Sequence, residues 1–274
     1  MPEPLLYESH LHTPLCRHAV GEPGEYAAEA ERKNFRGIIV TCHNPIPGGY
    51  SANVRMREDQ FDEYIALVAH ARAAWNGRVD VRLGIECDFA PGLEPGVEKL
   101  LGRATFHHVL GSVHTQVQEY RDRYQTGTWF EYQQTYFHHL ALAAETGLFD
   151  TISHPDLVKN QAPGEWILNR IWPDIQRALD RIAAAGTAME LNTSGLLKAI
   201  PEMNPGPEIL AAMRRRGIPV VLGADAHIPR RVGSEYPLAL RMLQGAGYEN
   251  VSFFLDRQRQ EVPITAALAS LDQG

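Results

Sequence analysis

The 274-residue chain is 44% hydrophobic and 22% charged, the proportions of an ordinary soluble globular protein, and it is long enough to bury a core without disulfides. Its net charge of −7 argues against an electrostatic nucleic-acid footprint, and no stretch approaches the roughly 18 consecutive apolar residues of a membrane span. Three cysteines (Cys16, Cys42 and Cys87) make no disulfide framework, and MPEPLLYESH lacks a basic region followed by an apolar run, so the expectation is a cytoplasmic protein with one domain over 1–274.

Short β-rich runs alternate with longer helical patterns. Strands are predicted at LLYESH (5–10), GIIVTC (37–42), VDVRLGIE (79–86), HHVLGSV (107–113), FDTISH (149–154), TAMELN (187–192) and IPVVLGAD (218–225). Helical stretches between them, such as GEYAAEAERKNF, EDQFDEYIALVAHARAAW, TWFEYQQTYFHHLALAAETG and NPGPEILAAMRRRG, carry apolar residues at threes and fours, and several end at glycine. VSFFLDRQ (251–258) adds an outer strand before a short C-terminal helix. Seven βα-type units in one chain predict a barrel-like parallel sheet.

In such barrels the chemistry sits at the C-terminal ends of the strands. Here the first strand ends in His10 and His12, the second in His43 and the third in Glu86. The fourth runs into His114, the fifth ends in His154, and the seventh in Asp225 and His227. Only the sixth offers Asn192 and Thr193 instead. With His18, in the turn after His12, nine candidate ligands converge on one rim. A catalytic zinc uses about three protein ligands, so this set implies two or three divalent ions, with Zn, Mn and Fe(II) all suited to imidazole and carboxylate.

HLH at 10–12, then His18, TCHNP, GIE, GSVH, SHPDL and GADAH, in that order, resembles the polymerase-and-histidinol-phosphatase (PHP) superfamily. HLHTPLCRHA, LGIECDF, HPDLVK and ELNTSGL are most similar to its histidinol-phosphatase branch, and the similarity runs from about residue 7 to about residue 235. The resemblance implies a distorted seven-stranded (β/α) barrel with a trinuclear metal centre at the C-terminal rim. It also implies that His10, His12, Glu86 and Asp225 hold one metal. Glu86 bridges to a second, completed by His114 and His154, while His18, His43 and His227 hold a third. Two positions depart from the pattern. Cys42 stands where the family commonly has an aspartate behind the ligands, and Ser153 stands where a glycine is expected before His154.

Divalent cations at the rim would clamp a phosphate and bring the pKa of a bridging water toward neutral; the resulting hydroxide would attack phosphorus in line. No nucleophilic DxDx[TV] aspartate is present, and there is no GxxxxGK[ST] or GxGxxG loop. Asp225 or His227 is the candidate for protonating the leaving alcohol. Lys159, Lys198 and Arg230 are the candidates for holding phosphate, ahead of Arg121, Arg123 and Arg231. Asp88, Asp156 and Glu202 are candidates for facing a substrate ammonium group. The expected reaction is hydrolysis of L-histidinol phosphate to L-histidinol and phosphate. The alternatives are a PHP phosphoesterase for another small phosphomonoester or a nucleotide, an amidohydrolase-type metal hydrolase, and a non-catalytic metal-binding PHP module. The sequence leaves the oligomeric state open, a homo-oligomer included.

Other residues read as structural. His70, His138 and His139 fall within helices, and His107 and His108 open a strand at the end away from the site. Cys42 and Cys87 each neighbour a ligand along a strand, so alternation turns them to the other face as buried thiols. Cys16 lies in the loop between His12 and His18.

Overall fold

The computed structural model describes residues 3–271; the first two and last three residues of the expected 1–274 domain lie outside the described residues. In chain order the elements are β1 (Tyr7–Glu8), α1 (Pro23–Arg32), β2 (Gly37–Val40), α2 (Phe61–Ala74), β3 (Asp80–Asp88), α3 (Glu94–Leu101), β4 (His108–Ser112), α4 (Gln118–Tyr124) and α5 (Trp129–Glu145). They continue with β5 (Thr151–Ile152), α6 (Leu168–Ala185), β6 (Ala188–Asn192), α7 (Pro207–Arg215), β7 (Val220–Gly223), α8 (Tyr236–Gly245), β8 (Asn250–Leu255), β9 (Gln258–Pro263) and α9 (Ile264–Leu271).

The helices begin where local chemistry satisfies their free N–H groups. Pro23 opens α1 behind a Glu22/Glu25 capping box, and Thr128 with Glu131 caps α5 in the same way. α6 ends at Gly186, whose left-handed backbone (φ 74°) terminates the helix. β2 and β4 are buried along their whole length, as strands covered on both faces should be.

β1 to β8 pair in sequence order and in parallel, and β9 returns antiparallel to β8. The expected α/β architecture with a parallel sheet is therefore present, with shorter strands at both predicted edges of the first and fifth runs. Among the described residues the ladder does not continue from the last strand back to the first. Instead the backbone just past β1 meets the backbone just past β7 in an isolated parallel bridge, Leu11 to Ala226. His12 N–H donates to the Ala226 carbonyl and Ala226 N–H to the His10 carbonyl, both at 3.0 Å.

The expected outer strand at 251–258 is a hairpin. Asp256 and Arg257 both take positive φ, the geometry of a two-residue turn, and Gln258 starts β9. Phe253 stacks on Tyr7 (ring centroids 4.7 Å apart) and Phe254 on His108 (5.2 Å), so the hairpin packs against β1 and β4 through their first residues. No helix among the described residues is long and apolar enough to cross a membrane.

Candidate metal centre

Parallel pairing brings the C-terminal ends of the strands to one rim, and short excursions beyond them build the site. The bridge at Leu11 and Ala226 sets His10 and His12 beside Asp225 and His227. Past β2, His43 pairs through its backbone with Glu86 of β3. His114 and His154 each follow a strand end by two residues. His154 and Asp225 hold positive φ values of 29° and 49°, uncommon for residues with a Cβ and characteristic of strain retained at functional sites.

Glu86 is the centre of the arrangement. Its Oε2 lies 2.8 Å from His43 Nδ1, 3.4 Å from His10 Nε2 and 3.6 Å from His12 Nε2. Its Oε1 lies 3.1 Å from His154 Nε2 and 3.3 Å from His114 Nε2, and accepts a hydrogen bond from Ser112 Oγ at 2.6 Å. Beyond this core, His12 Nε2 is 3.1 Å from Asp225 Oδ1, and the Nε2 atoms of His18 and His227 meet at 2.8 Å. The structure thus brings together all nine residues singled out at the strand ends. Ligand-capable atoms lie within 4.8 Å of one another in the sets His10–His12–Glu86, His43–Glu86–His114 and His12–His43–His227. His18 is exposed, the others buried or nearly so.

Burial would raise the Glu86 carboxyl, but His43, His10 and His114 outweigh it and hold the group well below the usual carboxylate range. Asp225 is held down in the same way, against its burial, by His10, His12, His227 and Lys198. Burial lowers His227 to about 3, while Asp88 and Glu86 overcome the burial of His114 and raise it to about 10. Two carboxylates kept ionised among imidazoles form the donor chemistry of a divalent-cation site. The packing agrees, since Glu86 Oε2 and His10 Nε2 are both buried without a hydrogen-bond partner among the described residues. The residues present fit divalent cations.

Most of the ligand-capable histidines are fixed from behind. His10 Nδ1 is 2.7 Å from Glu190 Oε1, and the other oxygen of Glu190 accepts from the His154 N–H at 2.8 Å. His114 Nδ1 is 2.8 Å from Asp88 Oδ1, and Asp88 is itself paired with Arg55 at 2.7 Å. Sequence reasoning missed Glu190 and Arg55. Glu190 left one usable signal, a carboxylate in a strand run two residues before its end at Asn192; Arg55 left none. Ser153 bonds Ser112 and lies 3.1 Å from His154 Nε2, so the departure from glycine adds a hydroxyl against the ligand set.

Cys42 is not on the opposite face. β2 ends at Val40, so strand alternation no longer governs residue 42, and its Sγ lies within 4.8 Å of Cys16 Sγ and of a His12 ring nitrogen. Cys87 is buried as expected.

The expected phosphate-holding cations differ in placement. Lys159 is fully buried, its ammonium donating to Asp156 (2.8 Å), Glu202 (2.9 Å) and the Met203 carbonyl (3.4 Å), so its three donors are already engaged. Those pairings also occupy Asp156 and Glu202, two of the candidates for a substrate ammonium group; the third, Asp88, is held by Arg55 and His114. Lys198 is half-buried, carries no ion pair among the described residues, and is one of the charges acting on Asp225. Arg230 is exposed. His108 is bonded to Thr151 and His139 to Tyr120, consistent with structural roles.

A cleft of about 450 Å³ opens from His18, His43 and His114 and runs between the 51–55 segment and the start of α4. Its far wall carries Asn53, Gln116 and Gln118, and the carboxylate of Glu119, whose Oε1 accepts from the Ser51 N–H at 2.9 Å.

Comparison with known proteins agrees with this geometry. The chain is 40% identical over 261 residues to a Deinococcus radiodurans protein named "Probable histidinol-phosphatase", covering 90% of this chain and 96% of that one. It is 24% identical over 259 residues to the histidinol-phosphatase of Bacillus subtilis, covering 84% and 96%. Among solved structures, the histidinol phosphate phosphatase of Lactococcus lactis, complexed with Zn, L-histidinol and phosphate, superposes with a TM-score of 0.76 at 18% identity, covering 93% of this chain and 98% of that one. The PHP domain model matches residues 8–194, more than half of the sequence and the stretch that supplies His10, His12, His18, His43, Glu86, His114 and His154. With strand order, rim and sequence in agreement, the chain belongs to the PHP domain family.

Proposed function

We propose that this chain is a single-domain, metal-dependent phosphomonoesterase that hydrolyses L-histidinol phosphate to L-histidinol and phosphate in the cytoplasm. The observation that carries the reading is Glu86, a buried carboxylate with His10, His12 and His43 around one oxygen and His114 and His154 around the other. The 40% identity to a relative of nearly equal length supports the substrate.

His10, His12, Glu86 and Asp225 would hold one cation; Glu86, His114 and His154 a second; His18, His43 and His227 a third. Zn, Mn or Fe(II) bound there supplies Lewis acidity toward a phosphoryl oxygen and an acidified water. The chain's own residues do the rest. Lys198 faces the phosphoryl charge from the β6 side, with Arg230 further out. The proton given up by the acidified water would be passed to the leaving oxygen on the Asp225 and His227 side of the rim, so that the alcohol leaves neutral. The alcohol portion occupies the cleft, where Glu119 opposes its ammonium group and the amides of Asn53, Gln116 and Gln118 meet its imidazole.

The test is phosphate release from L-histidinol phosphate, p-nitrophenyl phosphate and a nucleotide monophosphate, with metal-stripped protein and after adding back Mn, Zn or Fe(II). A metal-restored preference for histidinol phosphate is expected, abolished in Glu86→Gln together with at least one equivalent of bound metal. Hydrolysis without that preference overturns the substrate, and release from none of the three overturns the enzyme.

A further inference from the structure

Four of the seven rim histidines are held from behind by oxygen. His10 Nδ1 faces Glu190 Oε1 at 2.7 Å, His114 Nδ1 faces Asp88 Oδ1 at 2.8 Å, His18 Nδ1 faces the Cys16 carbonyl at 2.7 Å, and His227 Nδ1 faces the Asp225 carbonyl at 3.0 Å. His12 turns its Nε2 to Asp225 and Glu86, and its Nδ1 is buried with no hydrogen-bond partner among the described residues. Two sulfurs lie near: Cys42 Sγ and Cys16 Sγ are within 4.8 Å of a His12 ring nitrogen, and all three residues are completely buried. Cys42 Sγ is itself fixed, accepting from Thr13 N–H at 3.4 Å and Thr13 Oγ1 at 3.2 Å.

We infer that Cys42 is the positioning residue for His12, orienting the imidazole through sulfur as carboxylates orient His10 and His114. The inference rests on the reading of His12 as a metal ligand. An imidazole that ligates through Nε2 carries its proton on Nδ1, and a buried N–H requires an acceptor. Cys42 Sγ, within 4.8 Å of a His12 ring nitrogen, is locked in place by Thr13 and is the acceptor we assign. Outer partners of this kind fix ring orientation and raise ligand basicity, and losing one costs typically 10–100-fold in metal affinity. Sulfur is the weaker acceptor, so His12 donates less strongly than His10. The cation it shares is therefore held less tightly than it would be with a carboxylate behind His12.

The experiment is zinc binding by the purified full chain, followed by competition with a chromophoric chelator, for wild type, Cys42→Ala, Cys42→Ser, Cys42→Asp and His12→Ala. Cys42→Ala should weaken one of the bound zinc ions about 10–100-fold, Cys42→Ser should recover part of the loss, and Cys42→Asp should bind at least as tightly as wild type. A packing role gives the opposite order, because a buried carboxylate destabilises the metal-free protein more than alanine does, as urea unfolding of stripped samples will show. Zinc binding by Cys42→Ala within twofold of wild type overturns the inference. So does Cys42→Ser no better than Cys42→Ala, a comparison that stands even where Cys42→Asp does not fold. His12→Ala retaining the full zinc complement would instead overturn the ligand reading beneath it.

Discussion

Replacing Arg55 with leucine removes the guanidinium that faces Asp88 at 2.7 Å, with both side chains 2% exposed. Arg55 also donates to the carbonyl and side-chain oxygen of Asn44, at 2.9 and 3.2 Å, so the substitution unlocks the entry to the 44–55 loop as well. Burial favours a neutral Asp88, and Arg55 is the chief charge that keeps it ionised. Breaking a buried pair from one side costs about 3–5 kcal/mol, and His114, which still faces Asp88, places the loss toward the low end of that range. At roughly 2–4 °C per kcal/mol, the unfolding midpoint of metal-stripped protein should fall by about 10 °C. Arg55→Leu/Asp88→Leu removes both charges and should recover at least about 2 kcal/mol of the summed single-variant losses in a urea-unfolding cycle. It should not recover metal affinity, because His114 Nδ1 then has no acceptor. A loss below about 1 kcal/mol in Arg55→Leu, or strict additivity in the double variant, would refute the argument that this pair is coupled and desolvated.

Glu119→Gln should lower the ratio of kcat/KM for histidinol phosphate over p-nitrophenyl phosphate about tenfold, since only the former presents an ammonium group; an unchanged ratio removes Glu119 from the cleft's recognition. Gly223→Ala should place a methyl against the Glu190 carboxylate and His10 Cβ (2.7 Å), costing about 1–3 kcal/mol in urea unfolding and weakening metal binding, whereas wild-type values for both would show the contact to be soft. Burial, with His138 and Arg123 adding to it, lowers His139 to about 4 from an ordinary 6.5. The unfolded chain therefore takes up this proton first as pH falls, and stability should be full above pH 6.5 and decline between 6.5 and 4, by up to about 3 kcal/mol. His139→Gln, which can still meet the Tyr120 hydroxyl, should flatten that part of the stability–pH curve; the same slope in both proteins would count against it.

The rim was legible because parallel strands place sequence-adjacent ends side by side, so HLH, His43, Glu86, His114, His154 and GADAH mark one edge without any knowledge of packing. What stands behind the rim was not legible. Glu190 meets His10 across 180 residues of chain, and Arg55 reaches Asp88 from an irregular loop whose path no periodicity encodes. Lys159 follows a strand end, as a phosphate-binding lysine would, but the carboxylate of Glu202 closes over it from 43 residues away. Alternation misplaced Cys42 because the strand stops two residues earlier. β9 escaped notice for a different reason: QRQEVP forms an exposed edge strand, and only Val262 within it is buried, so it shows no apolar rhythm.

The bridge between Leu11 and Ala226 joins segments 215 residues apart in sequence (226 − 11) by two backbone hydrogen bonds, and it lies between His10 and His12 on one side and Asp225 and His227 on the other. Glu8 adds ties just below, accepting from the N–H groups of Ala224 (3.0 Å) and Gly233 (2.8 Å). Cations shared across this join would act as a clasp on the ring of strands, repaying the entropy of bringing the chain's two ends together. Folding and loading then become linked events. Stripped of metal, the ring should loosen first at its clasp, with the amides of His12 and Ala226 exchanging hydrogen ahead of their neighbours in β3 and β4. The site that turns over substrate would also be the fastening that closes the fold.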